Sequence, residues 1–227
     1  MEKAIRRWRM KKLLVTFFML GVILAWGAPL KAETKFNLAI LPFFIERVED
    51  RPRGAVCPIC GGLYGKGGVL SGAQIYLTRL LQEKMEAMGT FKLLPQEKVE
   101  EAFSQSDRSQ FDLNLKRSSI QLGKTLGADF IFVGFLFRFE QRVGSSIGVD
   151  KPASVGFDVH LIRLGDGKIV WTGKFDETQR PLSENLLKMG SFVRRKASWL
   201  TAEELSSVGM DEMLKRFPGQ KELEEMP

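Results

Sequence analysis

The sequence predicts an α/β fold: a mixed sheet, with a parallel β-α-β part plus an antiparallel meander, and helices packed on it. Three observations predict it. "NLAILPFF" (37–44) and the first half of "ADFIFVGFLFRFEQRV" (128–143) are apolar on both faces, as strands of a covered parallel sheet are. Helical spacing fills much of the chain between them, and strands joined by helical crossovers run parallel. Farther on, two alternating stretches flank "GDGK" (165–168), where D-G is a strong hairpin signal.

The elements follow in order. Residues 37–44 form the first strand, with Pro42 near its end. Residues 45–70 are polar, then rich in Gly with two cysteines, and too broken for a helix. From Ser71 the pattern changes: Leu77, Leu80, Leu81, Met85 and Met88 fall at helical spacing. Ser71 with Gln74 reads as a capping box, and Gly89 closes that helix. "FKLLP" (91–95) is a second strand, and "QEKVEEAFSQ" (96–105) a helix with Val99, Ala102 and Phe103 on its inner side. A third helix, about 115–127, carries Ile120, Leu122 and Leu126 and ends at Gly127.

Residues 128–143 are then the strongest strand. Its second half alternates Phe135, Phe137 and Phe139 against Arg138 and Glu140, so it is expected to start deep and emerge toward solvent. "ASVGFDVHLIRL" (153–164) sets Val155, Phe157, Val159 and Leu161 on one side and Asp158 and His160 on the other. "KIVWTGKFDET" (168–178) is its hairpin partner. Helices are expected over 182–197 and 202–216. Thr201 caps the latter with Glu204, and Leu200 with Leu205 forms a staple. Residues 218–227 are charged and expected to be a flexible tail.

The first 32 residues stand apart. A basic opening (Lys3, Arg6, Arg7, Arg9, Lys11, Lys12) precedes the apolar run 13–30, and Ala32 offers a small residue before a cut at Glu33. That order is a secretory signal peptide, with an uncleaved inner-membrane anchor as the alternative. No cysteine follows the run to carry a lipid. The expected location is therefore the periplasm or cell envelope.

Removing this segment changes the charge argument. The chain is +7, but residues 1–32 hold seven Lys and Arg against Glu2, leaving 27 basic and 26 acidic residues in 33–227. A nearly neutral domain lacks the basic surplus that phosphate binding needs, so nucleic acid is not expected as a partner. Residues 33–217 are enough for one α/β domain, carrying the cysteine-containing insert at 45–70.

Three stretches carry a resemblance: "NLAILPF" (37–43), "LGADFIFVGFL" (126–136) and "DGKIVWTGKF" (166–175). In order and spacing they resemble the recurring strands of a bacterial envelope superfamily. That superfamily includes the amino-terminal domain of TolB, the curli-secretion protein CsgG and the penicillin-binding-protein activator LpoB. The matching positions here are Pro42 and Phe43; Gly127, Ala128 and Asp129; and Gly167, Val170 and Trp171. The resemblance implies a non-catalytic α/β module that docks onto envelope proteins or assembles with copies of itself. The insert at 45–70 is not part of the shared pattern.

The insert holds both cysteines of the chain, Cys57 and Cys60, in "CPICGG". In an oxidising compartment a local disulfide is the favoured expectation. Two alternatives stay open. C-P-x-C-G is a zinc half-site, but Zn²⁺ wants four ligands and His160 is the sole histidine, so a site shared between two chains would have to supply the rest. C-P-x-C also resembles the frame of thiol–disulfide oxidoreductases, in which the first cysteine sits at a helix N-terminus. Together these define the runner-up reading, a periplasmic thiol–disulfide or metal-handling protein.

A phosphate-loop reading of "CGGLYGKGG" fails, because Cys60 and Gly67 stand where Gly and Ser or Thr are required. The glycines are expected to let the loop bend closely. His160, mid-strand beside Asp158, is expected to be solvated, which leaves nothing to carry triad catalysis. No enzyme activity and no small-molecule substrate are expected. Trp199 is left as a candidate docking residue, and the 45–70 loop as the contact element.

Overall fold

The computed structural model describes residues 35–46, 54–146, 148–179 and 199–226. The expected signal peptide and the helix expected over 182–197 lie outside the described residues. Lys35 onward forms one compact unit. No described helix is long and apolar enough to cross a membrane.

The sheet is mixed, as its sequence pattern predicts. Strand β1 (Asn37–Ile40) pairs parallel with both β5 (Lys92–Leu93) and β6 (Phe130–Glu140). The β6 strand then pairs antiparallel with β9 (Ser154–Arg163), which pairs antiparallel with β10 (Ile169–Thr178). The order across the sheet is β10-β9-β6-β1-β5. Pro42 splits the expected first strand, since proline has no N–H for the ladder. The chain resumes as β2 (Phe44–Ile45), which rejoins β6.

Helices cover both faces. One core lies under α1 (Ala73–Met88) and α4 (Ala202–Leu214), with Leu77, Leu81, Met85, Leu205 and Met210 packed on Phe132, Phe157 and Val159. The other lies under α2 (Gln96–Gln105) and α3 (Arg108–Thr125), with Val99, Phe111 and Leu122 against Ile131, Phe135 and Ile162. That second face is completed by a hairpin of β3 (Ala55–Val56) and β4 (Leu63–Tyr64), inside the region expected to be an irregular loop. A further two-stranded ribbon joins β7 (Val143–Gly144) and β8 (Val149–Lys151).

Several local expectations hold. Gly89 ends α1 in the left-handed conformation, its N–H donating to Met85 and Glu86 carbonyls. Thr201 and Glu204 form the capping box of α4, and Leu200 and Leu205 are both buried. Gly167 turns the β9–β10 hairpin with φ 71°.

Others are corrected. The Ser71–Gln74 box does not form: α1 is led in by Gly72 in the left-handed conformation, so Ser71 lies one residue too early to cap. Helix α3 starts at Arg108, where the Asp107 side chain accepts from Ser109 N–H, rather than near 115. The expected start falls at a kink, Asn114, whose φ of −151° interrupts the helix. The β6 strand stays buried through Phe139 instead of emerging, because the hairpin and α1 cover its far end. The tail is not frayed throughout. Residues Gln220–Glu225 form α5, which buries Leu223 in the first core, and Arg163 donates to the Met226 carbonyl.

Candidate functional site

The site forms where the hairpin meets the second face of the sheet. Alternation along β9 puts Val155, Phe157, Val159 and Leu161 in the first core and aims Asp158 and His160 at the opposite face. That face is not wet: Asp158 and His160 are both 0% exposed. The expectation of a solvated histidine is therefore corrected. The hairpin supplies the cover, with Tyr64 stacked on Phe137 at 3.8 Å between ring centroids and Lys174 Nζ 4.2 Å above the tyrosine ring.

The turn between β3 and β4 carries the cysteines. Gly61 N–H donates to the Cys57 carbonyl (2.9 Å) and Cys57 N–H to the Gly62 carbonyl (2.8 Å). Gly61 adopts φ 71°, which suits glycine. This tight turn directs backbone donors at sulfur. Ile59 and Cys60 N–H groups point at Cys57 Sγ (3.4 and 3.5 Å), and Gly62 N–H at Cys60 Sγ (3.4 Å).

Four side chains converge below it. Cys57 Sγ lies 3.2 Å from His160 Nε2, and Cys60 Sγ lies 3.7 Å from Asp158 Oδ2. His160 Nε2 is 3.3 Å from Asp158 Oδ1. The donor atoms of all four residues lie within 4.8 Å of one another. Around them, Tyr64 O–H donates to Asp158 Oδ2 (2.7 Å), and Thr172 Oγ1 sits 3.0 Å from His160 Nδ1.

Cys57 is buried and Cys60 exposed, and no sulfur–sulfur bond joins them here. Burial, with Asp158 beside it, pushes the Cys57 thiol well above its ordinary range. The same two causes push Tyr64 up. In the thiol–disulfide oxidoreductase frame the first cysteine sits at a helix N-terminus, whereas the next helix here begins at Ala73. The group set that could hold a cation thus comes from one chain. Sequence reading singled out Cys57 and Cys60 and weighed His160 as the one further ligand in the chain, but missed Asp158 as a ligand. Its alternation with His160 was the available signal.

The glycine run does what its loop reading expects. Gly65 and Gly67 lie directly on the Arg138 side chain, leaving no space for a Cβ at either position. Arg138 is buried, paired with Asp176 (2.6 Å) and donating to Ser154 Oγ (2.6 Å). Trp199 is half-buried, its backbone held by Ser146 and Arg142.

No protein-family model matches the chain, and no curated protein matches it. Solved structures do. A PelC dodecamer from Paraburkholderia phytofirmans is 11% identical with TM-score 0.44, covering 79% of this chain and 85% of that one. Lipoprotein GNA1162 from Neisseria meningitidis is 13% identical with TM-score 0.43, covering 71% and 98%. The LpoB C-terminal domain from Escherichia coli is 17% identical with TM-score 0.40, covering 68% and 90%. At these identities the likeness concerns the fold and nothing finer.

Proposed function

We propose that this chain is a non-catalytic binding or assembly module of the bacterial envelope, exported through its N-terminal segment, and that it presents residues 63–75 to its partner. One observation carries the reading. Leu63, Leu70 and Ile75 are 60%, 48% and 58% exposed within that single stretch. Leu70 lines a groove of about 550 Å³ together with Ile45, Val69 and Phe137. Exposed large apolar side chains beside a groove are a feature of interaction surfaces.

The backbone of this stretch is hydrogen-bonded to the sheet at four points. Gly68 N–H donates to Glu140, Gly65 N–H to Asp176, Leu70 N–H to the Phe139 carbonyl, and Lys174 Nζ to the Leu63 carbonyl. A surface already ordered before binding loses little conformational entropy on docking. The burial of the chain's one histidine beneath the hairpin fits a module better than a catalyst, since a general base must reach its substrate.

The test is a photo-crosslinking amino acid at Leu70 or Ile75 in cells, with Glu97 on α2 over the opposite face as control. Adducts specific to the first two positions support the module; their masses separate a second copy from another envelope protein. The same adducts at Glu97, or none at either site, would refute it.

A further inference from the structure

We propose that Cys57, Cys60, Asp158 and His160 bind one Zn²⁺ within a single chain, and that the ion clasps the β3–β4 hairpin to the sheet. Four independent features of the site point there.

The first is the spacing of the donors. Zinc bonds of about 2.3 Å to sulfur and 2.0–2.2 Å to nitrogen or oxygen, arranged tetrahedrally, put neighbouring donors about 3.3–3.8 Å apart. Cys57 Sγ and Asp158 Oδ1 lie 3.2 and 3.3 Å from His160 Nε2, and the donor atoms of all four residues lie within 4.8 Å of one another. Small adjustments of side chains bring all four onto one ion.

The second is Asp158. It is fully buried, and its Oδ1 accepts no hydrogen bond. His160 Nε2 approaches that oxygen to 3.3 Å without hydrogen-bond alignment. Buried charges are kept when they are paired or coordinate a metal, and Oδ1 faces the same point as the sulfurs and the imidazole.

The third is the knuckle. Three backbone N–H groups aim at the two sulfurs, in place to donate to cysteine sulfurs that ligate a metal. The fourth is the surrounding support. With Nε2 facing the ion, Nδ1–H donates to Thr172 Oγ1, while Tyr64 O–H holds the aspartate. Metal-bound histidines and carboxylates are oriented by such partners. On binding, the two thiols release their protons to solvent, giving a dithiolate–carboxylate–imidazole site.

The experiment uses the full chain, purified reduced and loaded with Zn²⁺, then Co²⁺. Elemental analysis with native mass is expected to give one zinc per monomer. The cobalt form is expected to show thiolate-to-cobalt charge transfer and strong tetrahedral visible bands. Cys60→Ser, at an exposed position, is expected to weaken zinc binding by more than about 100-fold with an unchanged circular dichroism spectrum. Thr172→Val is expected to weaken it by about 10- to 100-fold at the same stoichiometry.

Half a zinc per chain in a dimer overturns the single-chain site. Reduced protein that takes up no metal, or a cobalt form without thiolate charge transfer, overturns the proposal even where a variant fails to fold. Cys60→Ser at wild-type affinity does the same. The outcome is separable from the docking surface, because crosslinks at Ile75 and bound metal are read independently.

Discussion

Gly134 is where a single methyl group would disturb the central strand. It sits in β6 opposite Val159, and the Phe43 ring lies across it, so a Cβ would stand 2.7 Å from ring carbons. Overpacking of this kind costs about 1–3 kcal/mol. Gly134→Ala is therefore expected to lower the unfolding free energy read from urea denaturation by that amount, and Phe43→Leu in the same chain to recover part of it. A neutral Gly134→Ala would mean the ring shifts freely. Arg138 offers a second residue-scale test. Replacing it with Met leaves Asp176 without its cation and Ser154 Oγ without its donor. Because Asp176 keeps a quarter of its side chain in water, the expected loss is about 1.5–3 kcal/mol, read from the same denaturation curves.

At the scale of elements, the hold of the glycine loop depends on pH. Glu140 is partly buried, which by itself would raise its pKa. The Gly68 N–H and Lys151 more than offset this and hold the carboxyl below its usual range. A group depressed in the folded state contributes stability that is present above the unfolded carboxylate range and lost as pH falls through the folded pKa. Exchange protection of the Gly68 amide, corrected for intrinsic rate, is expected to fall as pH drops below the ordinary carboxylate range. Glu140→Gln is expected to flatten that dependence. A pH-independent protection in the native protein would show that the Phe139 pairing alone fixes the loop.

Elements with strong patterns were legible in the sequence: the alternation of β9, the D-G turn, the Thr201 capping box and the apolar strands β1 and β6 all match. The short hairpin was not, since two-residue strands carry no periodicity. The site was half legible for the same reason. Cys57–Cys60 and the Asp158–His160 pair are each visible locally, but Cys57 and His160 meet across 103 residues. Only tertiary packing decides which element covers the polar face of β9.

For the whole molecule, that covering is the main consequence of the insert. Among the described residues helices pack on both faces of the sheet, and on the second the hairpin adds to them, placing Ala55, Cys57 and Tyr64 in the second core. An insert that merely decorates a surface tolerates excision; one that completes a core does not. Replacing residues 55–64 by a short Gly-Ser link would uncover Phe137 and bring water to Asp158 and His160. The lost aromatic packing alone is of the order of 3–5 kcal/mol, and a domain of this size has about 5–15 kcal/mol in total. The excised chain is expected to lose at least about 4 kcal/mol by urea denaturation and to bind a hydrophobic dye. Tyr64→Ala, which keeps the hairpin but removes its anchor, is expected to lose a large part of the same amount. If excision left the midpoint unchanged, the hairpin would be a passive display loop and the second core would close without it. A large loss with Tyr64→Ala close behind would make the cysteine hairpin a structural layer of the fold, fastened at its outer end by the cluster beneath it.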